Sequence, residues 1–181
     1  MDPDGKKISI VPPPNDGKYV EKIIKLIKKA SKASPEFAMI YNAIKDNPNI
    51  TVYIKMTKNP GDSASTACCD TKAKKEHRPS DSIIYIDPYA VVISPNTGLE
   101  SPPVVGIAHE MQHAYDNMIG NYDETQNVWE VHNGIKKFIY NIKSESAAID
   151  LENSVRVRLG LPYRDSYDGY VVNIKPESAF N

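Results

Sequence analysis

Residues 109–113 read His-Glu-Met-Gln-His, and no other stretch of the chain limits its fold as tightly. Positions i and i+4 of an α-helix stand one above the other, so on a helix His109 and His113 can grip one ion. Glu110 lies about 100° further round the helix, too far to join them. It is close to the position a bound metal leaves open, where it can take a proton from water. The preceding Val104-Val105-Gly106-Ile107-Ala108 is small and apolar, as a helix at the centre of a domain requires. From the chain's own His and Glu frequencies, the pattern is expected by chance about 0.005 times in a chain this long. The spacing therefore predicts a buried helix over Pro102–Ile119, ended by Gly120 as a C-cap.

Zinc suits two imidazoles and a carboxylate, since a fourth position stays free for a water whose pKa falls to roughly 7. Two histidines alone hold zinc weakly, so a third donor is needed. Asp116 shares their face one turn further on and is read as a residue standing behind the ligands. Better donors lie in Ser144–Asn153, where Glu145 and Glu152 share one helix face with Ala148 between them. Small residues there allow a close approach to the first helix. Glu145 is favoured as the ligand, with Glu152 the alternative; the other carboxylate would orient a histidine or the Arg164 region.

Hydrolysis of an amide also needs a donor for the developing oxyanion. Arg164 and Tyr167 sit three residues apart just beyond the last helix and are the first candidates, ahead of Tyr163 and Tyr115. His132, in a polar turn near Trp129, is read as a cleft-rim residue; in a closed, structural metal site it would be the fourth ligand. His77, beside Lys74, Lys75 and Arg78, is read as solvated.

The remaining chain frames this helix. At 181 residues and 40% apolar, it is long enough for one core without staples. A net charge of -1 offers no broad basic field for nucleic acid. No apolar run approaches the ~20 residues of a membrane span, and no signal-like segment opens the chain. Residues 1–14 read as a lead with a strand at Ile8–Val11, and residues 15–181 as one domain. Val20, Ile23, Ile24 and Ile27 have helical spacing among Lys22, Lys25, Lys28 and Lys29, which are read as solvated. Ser34-Pro35 reads as an N-cap and first turn of a second helix reaching Asp46.

Strands are predicted at Ile50–Met56, Ser82–Ile86, Val91–Ser94 and Tyr170–Ile174. Residues 58–81 read as a long exposed excursion holding the adjacent Cys68 and Cys69 as free thiols. Residues 121–134 read as turns, and a last helix is placed from about Lys136 to Leu159, with a break near Lys143 and a stop at Gly160. Strands followed by helices indicate α+β: a mixed sheet packed on the His-Glu-x-x-His helix, with an edge strand near Ser82–Tyr89 lining the cleft and a later helix supplying the third ligand.

The stretch His109-Glu-Met-Gln-His-Ala-Tyr-Asp116 resembles the helix of a bacterial effector metallopeptidase family, found among type III secretion effectors and as toxin tips of Rhs polymorphic proteins. So does the tail, with Glu145, Ala148, Glu152, Asn153 and Arg156 followed by Gly160-Leu-Pro, Arg164 and Tyr167. The likeness is strongest over roughly residues 100–170, and Asp2-Pro-Asp-Gly5 is similar to the end of an Rhs core. The resemblance implies a zincin fold of gluzincin type and a cytotoxic endopeptidase acting inside a target cell. It further implies delivery by a specialised secretion system, a protein substrate and a cognate immunity protein. Arg164 and Tyr167 look like the arginine and tyrosine pair of clostridial neurotoxin light chains. Gluzincins often place an acid four residues after the ligand Glu, where this chain has Ile149. Asp150 or Asp116 would then orient the histidine, or Glu145 would not be the ligand.

The expectation is thus a one-zinc endopeptidase with ligands His109, His113 and Glu145, base Glu110, and oxyanion donors Tyr167 and Arg164. Two rivals share these residues: a zinc hydrolase of a non-peptide amide, and an inactive metal-binding interaction module.

Overall fold

β-branched runs supply most of the central sheet. In the computed structural model β1 (Ile8–Val11), β2 (Val52–Lys55) and β4 (Ser82–Tyr85) run parallel, and β3 (Ser65–Cys68) adds antiparallel to β4, in the order β1-β2-β4-β3. The structure describes residues 7–59, 64–122, 127–132, 135–140, 143–167, 170–171 and 175–180, of which 127–132, 135–140, 143, 167 and 170–171 are described as backbone alone. Side chains alternate across the sheet: Val52 and Ile54 on β2, and Ser82 and Ile84 on β4, are buried.

Two helices connect β1 to β2. Helix α1 (Tyr19–Ala33) turns Tyr19, Ile23, Ile27 and Ala30 into the core and leaves Lys22, Lys25, Lys28 and Lys29 exposed. Helix α2 (Pro35–Asp46) begins where the Ser-Pro signal placed it. The Ser34 hydroxyl accepts the Phe37 N–H at 3.0 Å, and Pro35 takes the first position, where a missing N–H costs nothing. Between β3 and β4 lies the short α3 (Thr71–Lys75), capped by the Asp70 carboxylate, which accepts the Lys72 and Ala73 N–H groups.

After a small hairpin, β5 (Val92–Ile93) with β6 (Glu100–Ser101), comes α4 (Pro103–Ile119), the centre of the domain. It packs on α1, α2, β3, β4 and α5 (Lys143–Arg158). Thirteen of its seventeen residues are buried, which its apolar lead made legible. Asn117 ties it to the sheet by donating to the buried Ser82 hydroxyl at 2.9 Å. Gly120 stops it at φ 70°, and a Cβ there would stand 2.5 Å from the His77 carbonyl oxygen, so only glycine fits. Gly160, at φ 68°, follows the end of α5.

The chain is a mixed α+β domain of this design. Three expectations change. Residues 58–81 are not one exposed excursion: β3 joins the sheet through backbone bonds that its polar Ser-Thr-Ala-Cys side chains do not advertise. The edge facing the cleft is consequently β3, whereas β4 is internal, between β2 and β3. Finally, α5 begins only at Lys143; before it, β7 (Asn127–His132) pairs antiparallel with β8 (Ile135–Tyr140). Val128, Trp129 and Val131 on β7 and Ile135, Phe138, Ile139 and Tyr140 on β8 are β-branched or aromatic, a strand preference that outweighs the loosely helical spacing. Of the strand expected at Tyr170–Ile174, β10 (Tyr170–Val171) pairs antiparallel with β9 (Ser166–Tyr167), and residues 172–174 lie outside the described residues. Among the described residues no helix is long and apolar enough to cross a membrane.

Candidate metal centre

Helix α4 brings His109 and His113 one turn apart on its buried face, with their Nε2 atoms 3.2 Å from each other. Helix α5 crosses beside them, and the fully buried Ala148 keeps a bulky side chain from intervening. Glu145, in the first turn of α5, points between the rings, its carboxylate oxygens 3.2 Å from His109 Nε2 and 3.4 Å from His113 Nε2. One donor atom from each of the three lies within 4.8 Å of the others, a spacing suited to one metal ion.

The chemistry of the donors tests the fit. Nδ1 of His109 faces the Glu152 carboxylate at 3.1 Å. A carboxylate only accepts, so Nδ1 carries the hydrogen and Nε2 of the neutral ring offers a lone pair. That lone pair is aimed at His113 Nε2 and at the buried Glu145 Oε2, which has no hydrogen-bond partner. A ring nitrogen and a carboxylate oxygen, both acceptors, converge with a second imidazole, and a cation satisfies them together. Electrostatics agree. Burial by itself would lower His109, but the Glu145 and Glu152 carboxylates outweigh it and raise it to about 10. Burial would raise Glu145, yet its contacts with His109 and His113 hold it well below the usual carboxylate range. The pocket favours positive charge at this point, which a proton or a metal ion supplies.

Glu152 lies behind His109, on the side of the ring away from Glu145. It bonds His109 Nδ1, receives Arg164 Nη1 at 2.7 Å and receives Arg156 Nε at 2.6 Å. Burial pushes it up, but His109, Arg164 and Arg156 bring it down to about 2. Arg156 itself is fully buried and reaches the Glu100 carbonyl at 2.9 Å, the Ser101 hydroxyl at 2.9 Å and the Pro162 carbonyl at 3.3 Å. One guanidinium thereby joins α5, β6 and the segment after α5 behind the histidine.

The two aspartates expected behind the histidines are engaged elsewhere. Asp150 accepts the Lys175 N–H at 2.7 Å, and Asp116 accepts Gln112 Nε2 at 2.9 Å. Ile149, standing where gluzincins often carry an acid, is wholly buried. Burial raises Asp116 to about 6 from 3.8, against smaller downward pulls from Gln112 and His113. A carboxyl raised on folding contributes stability that is complete below pH 3.8 and lost as pH rises through about 6. Asp116→Asn in the metal-free protein should therefore stabilise by about 2 kcal/mol at pH 8, the gain shrinking toward zero near pH 4. Thermal melts at the two pH values check this.

Glu110 is 5% exposed and stands outside the three-donor group, on the wall of the cavity that opens beside His109. Its carbonyl accepts the Thr66 hydroxyl at 3.1 Å, which ties this turn of α4 to the edge strand β3. Arg164 lies on the same wall, with Nε bonded to the Ser166 carbonyl at 3.0 Å. Asn153 fixes the backbone of Arg164 from both sides: Nδ2 donates to its carbonyl and Oδ1 accepts its N–H, each at 2.8 Å. Tyr167 follows in β9 as backbone, and its side chain, like that of His132, lies outside the described residues. The Tyr163 hydroxyl donates to the Lys175 carbonyl, and Tyr115 packs against the core. Cys68 and Cys69 are both free thiols.

Sequence reading passed over Arg156, Asn153 and Thr66 as working parts. Arg156 stands four residues after Glu152, an ion-pair spacing that was available; the reach of Asn153 and Thr66 across the fold was not.

A model of the Peptidase_M91 effector protein family matches residues 24–167. No curated protein sequence matches the chain. Among solved structures, the light chain of Clostridium botulinum neurotoxin serotype F superimposes with a TM-score of 0.47 at 13% identity, over 90% of this chain and 61% of that one. The chain thus spans less than two thirds of that light chain.

Proposed function

The chain belongs to the Peptidase_M91 effector protein family, and on that premise we propose a zinc-dependent endopeptidase, delivered by a specialised secretion system, that cleaves a protein inside a target cell. The observation that carries the proposal is the convergence of His109, His113 and Glu145 within 4.8 Å, with Glu110 one residue from a ligand and facing the cavity.

In this reading His109, His113 and Glu145 hold one zinc ion. When bound, zinc supplies Lewis acidity toward the scissile carbonyl and lowers the pKa of water to near 7. The Glu110 carboxylate takes the proton of the attacking water and delivers it to the departing amine nitrogen. Glu152 keeps the proton of His109 on Nδ1, which leaves Nε2 free to ligate. Arg164, held by Glu152 and Asn153, directs its charge at the oxyanion, together with the hydroxyl of Tyr167.

The test is a side-by-side assay of the protein as purified, after chelation and after zinc reloading. Unfolded proteins and small non-peptide amides are the substrates, and zinc per chain is measured. Zinc-restored cleavage of internal peptide bonds at one zinc per chain is the expected result. Cleavage of small amides alone would point to the non-peptide hydrolase, and zinc binding without any cleavage to an inactive metal module; either overturns the proposal.

A further inference from the structure

The two histidines of the metal centre are held in different ways. His109 is fixed from behind: its Nδ1 faces the Glu152 carboxylate at 3.1 Å while its Nε2 faces Glu145 at 3.2 Å. His113 presents Nε2 to His109 and Glu145 at 3.2 and 3.4 Å. Its own Nδ1 is buried and makes no hydrogen bond among the described residues. No second hydrogen bond therefore sets the tilt of this ring from behind. The torsion of an imidazole about its Cβ–Cγ bond is soft, and turning it would swing Nε2 out of the donor group.

What meets the His113 ring instead is Tyr122. The two ring centroids lie 5.7 Å apart with their planes at 59°, within the roughly 4.5–7 Å and the tilted geometry of a favourable aromatic pair. The chain brings Tyr122 there by reversing directly after α4. Gly120 takes φ 70°, and the Asn121 N–H bonds the Asp116 carbonyl at 2.8 Å, so the next residue returns toward the helix it has just left. Tyr122 is itself anchored, since Lys74 Nζ of α3 lies 4.1 Å from its ring centroid, a cation–π distance. His77, two residues past α3, packs its backbone against Gly120, which keeps Lys74 and Tyr122 adjacent.

We infer that Tyr122 is a positioning residue for the metal centre: its ring fixes the tilt of His113, as Glu152 fixes that of His109. The inference rests on the zinc reading above. The worth of an aromatic pair and the effect of an outer contact on a ligand histidine meet at about tenfold in metal affinity.

The experiment titrates the metal-stripped full chain with zinc against a chelating dye, then with cobalt(II), whose visible absorption reports the geometry of its ligands. Tyr122→Ala should weaken zinc binding about tenfold and alter the cobalt spectrum. Tyr122→Phe keeps the ring and should match the parent in both. Tyr122→Leu keeps much of the bulk, so it serves if the alanine variant does not fold, and it should bind zinc more weakly than Tyr122→Phe. A residue that merely closed the loop would lower the melting temperature of the metal-free protein and leave zinc affinity and the cobalt spectrum unmoved; that result would overturn the inference. So would a Tyr122→Phe variant as weak as Tyr122→Ala, because the hydroxyl rather than the ring would then hold the site. A parent chain that takes up no zinc would overturn the zinc reading itself.

Discussion

Replacing Glu110 with Gln should lower kcat/KM by about 10²- to 10⁴-fold, the range ascribed to a positioned general base, while zinc content per chain stays unchanged. The physical reason lies in the helix. His109, Glu110 and His113 share one and a half turns of α4, yet Glu110 is outside the donor group and lines the cavity. Its substitution removes no ligand. Glutamine matches the size of Glu110 and keeps one carbonyl oxygen, so the buried site is not left with a hole. What disappears is the carboxylate that accepts the proton of the attacking water. Paired measurements of hydrolysis and bound zinc check this; activity within tenfold of the parent would remove Glu110 from the mechanism.

Arg156→Ala should be the most destabilising single change at the site. The guanidinium is fully buried, bonds Glu152 at 2.6 Å and also satisfies the Glu100 carbonyl, the Ser101 hydroxyl and the Pro162 carbonyl. Removing one partner of a buried ion pair commonly costs about 3–5 kcal/mol, because the remaining charge loses its compensation. Glu152 would keep Arg164 and His109, so the low end of the range is expected. In a chain of this size about 3 kcal/mol corresponds to roughly 10 °C in melting temperature. Denaturant melts of the metal-free protein read the effect, and a loss under about 1 kcal/mol would show that Arg156 is dispensable. Combining Arg156→Ala with Glu152→Gln should cost less than the sum of the two, since the amide leaves no buried charge to compensate.

Asp116 and Glu152 show how the partners of a buried carboxyl, rather than its burial, decide which way it shifts. Both carboxyls are nearly inaccessible. Glu152 sits between two guanidiniums and an imidazole and falls to about 2; Asp116 has an amide for company and rises to about 6. Neither direction follows from the residue type, and neither was readable before the partners were in place.

Local spacing was enough for the parts of the protein whose signals are periodic. The i, i+4 histidines, the apolar lead of α4, the Ser34-Pro35 start of α2 and the Gly120 stop all act within one or two helical turns. Glu145 could be singled out because it faces along its helix with Ala148 and Glu152. Contacts across the fold were a different matter. That β3 is the edge strand beside the cleft, that Glu152 serves His109 from the next helix, and that Arg156 joins three segments behind it were decided by packing. A side chain's sequence neighbours specify which way it points on its own element. Which charge it meets 40 or 50 residues away depends on how the elements stack, and only the folded chain holds that information.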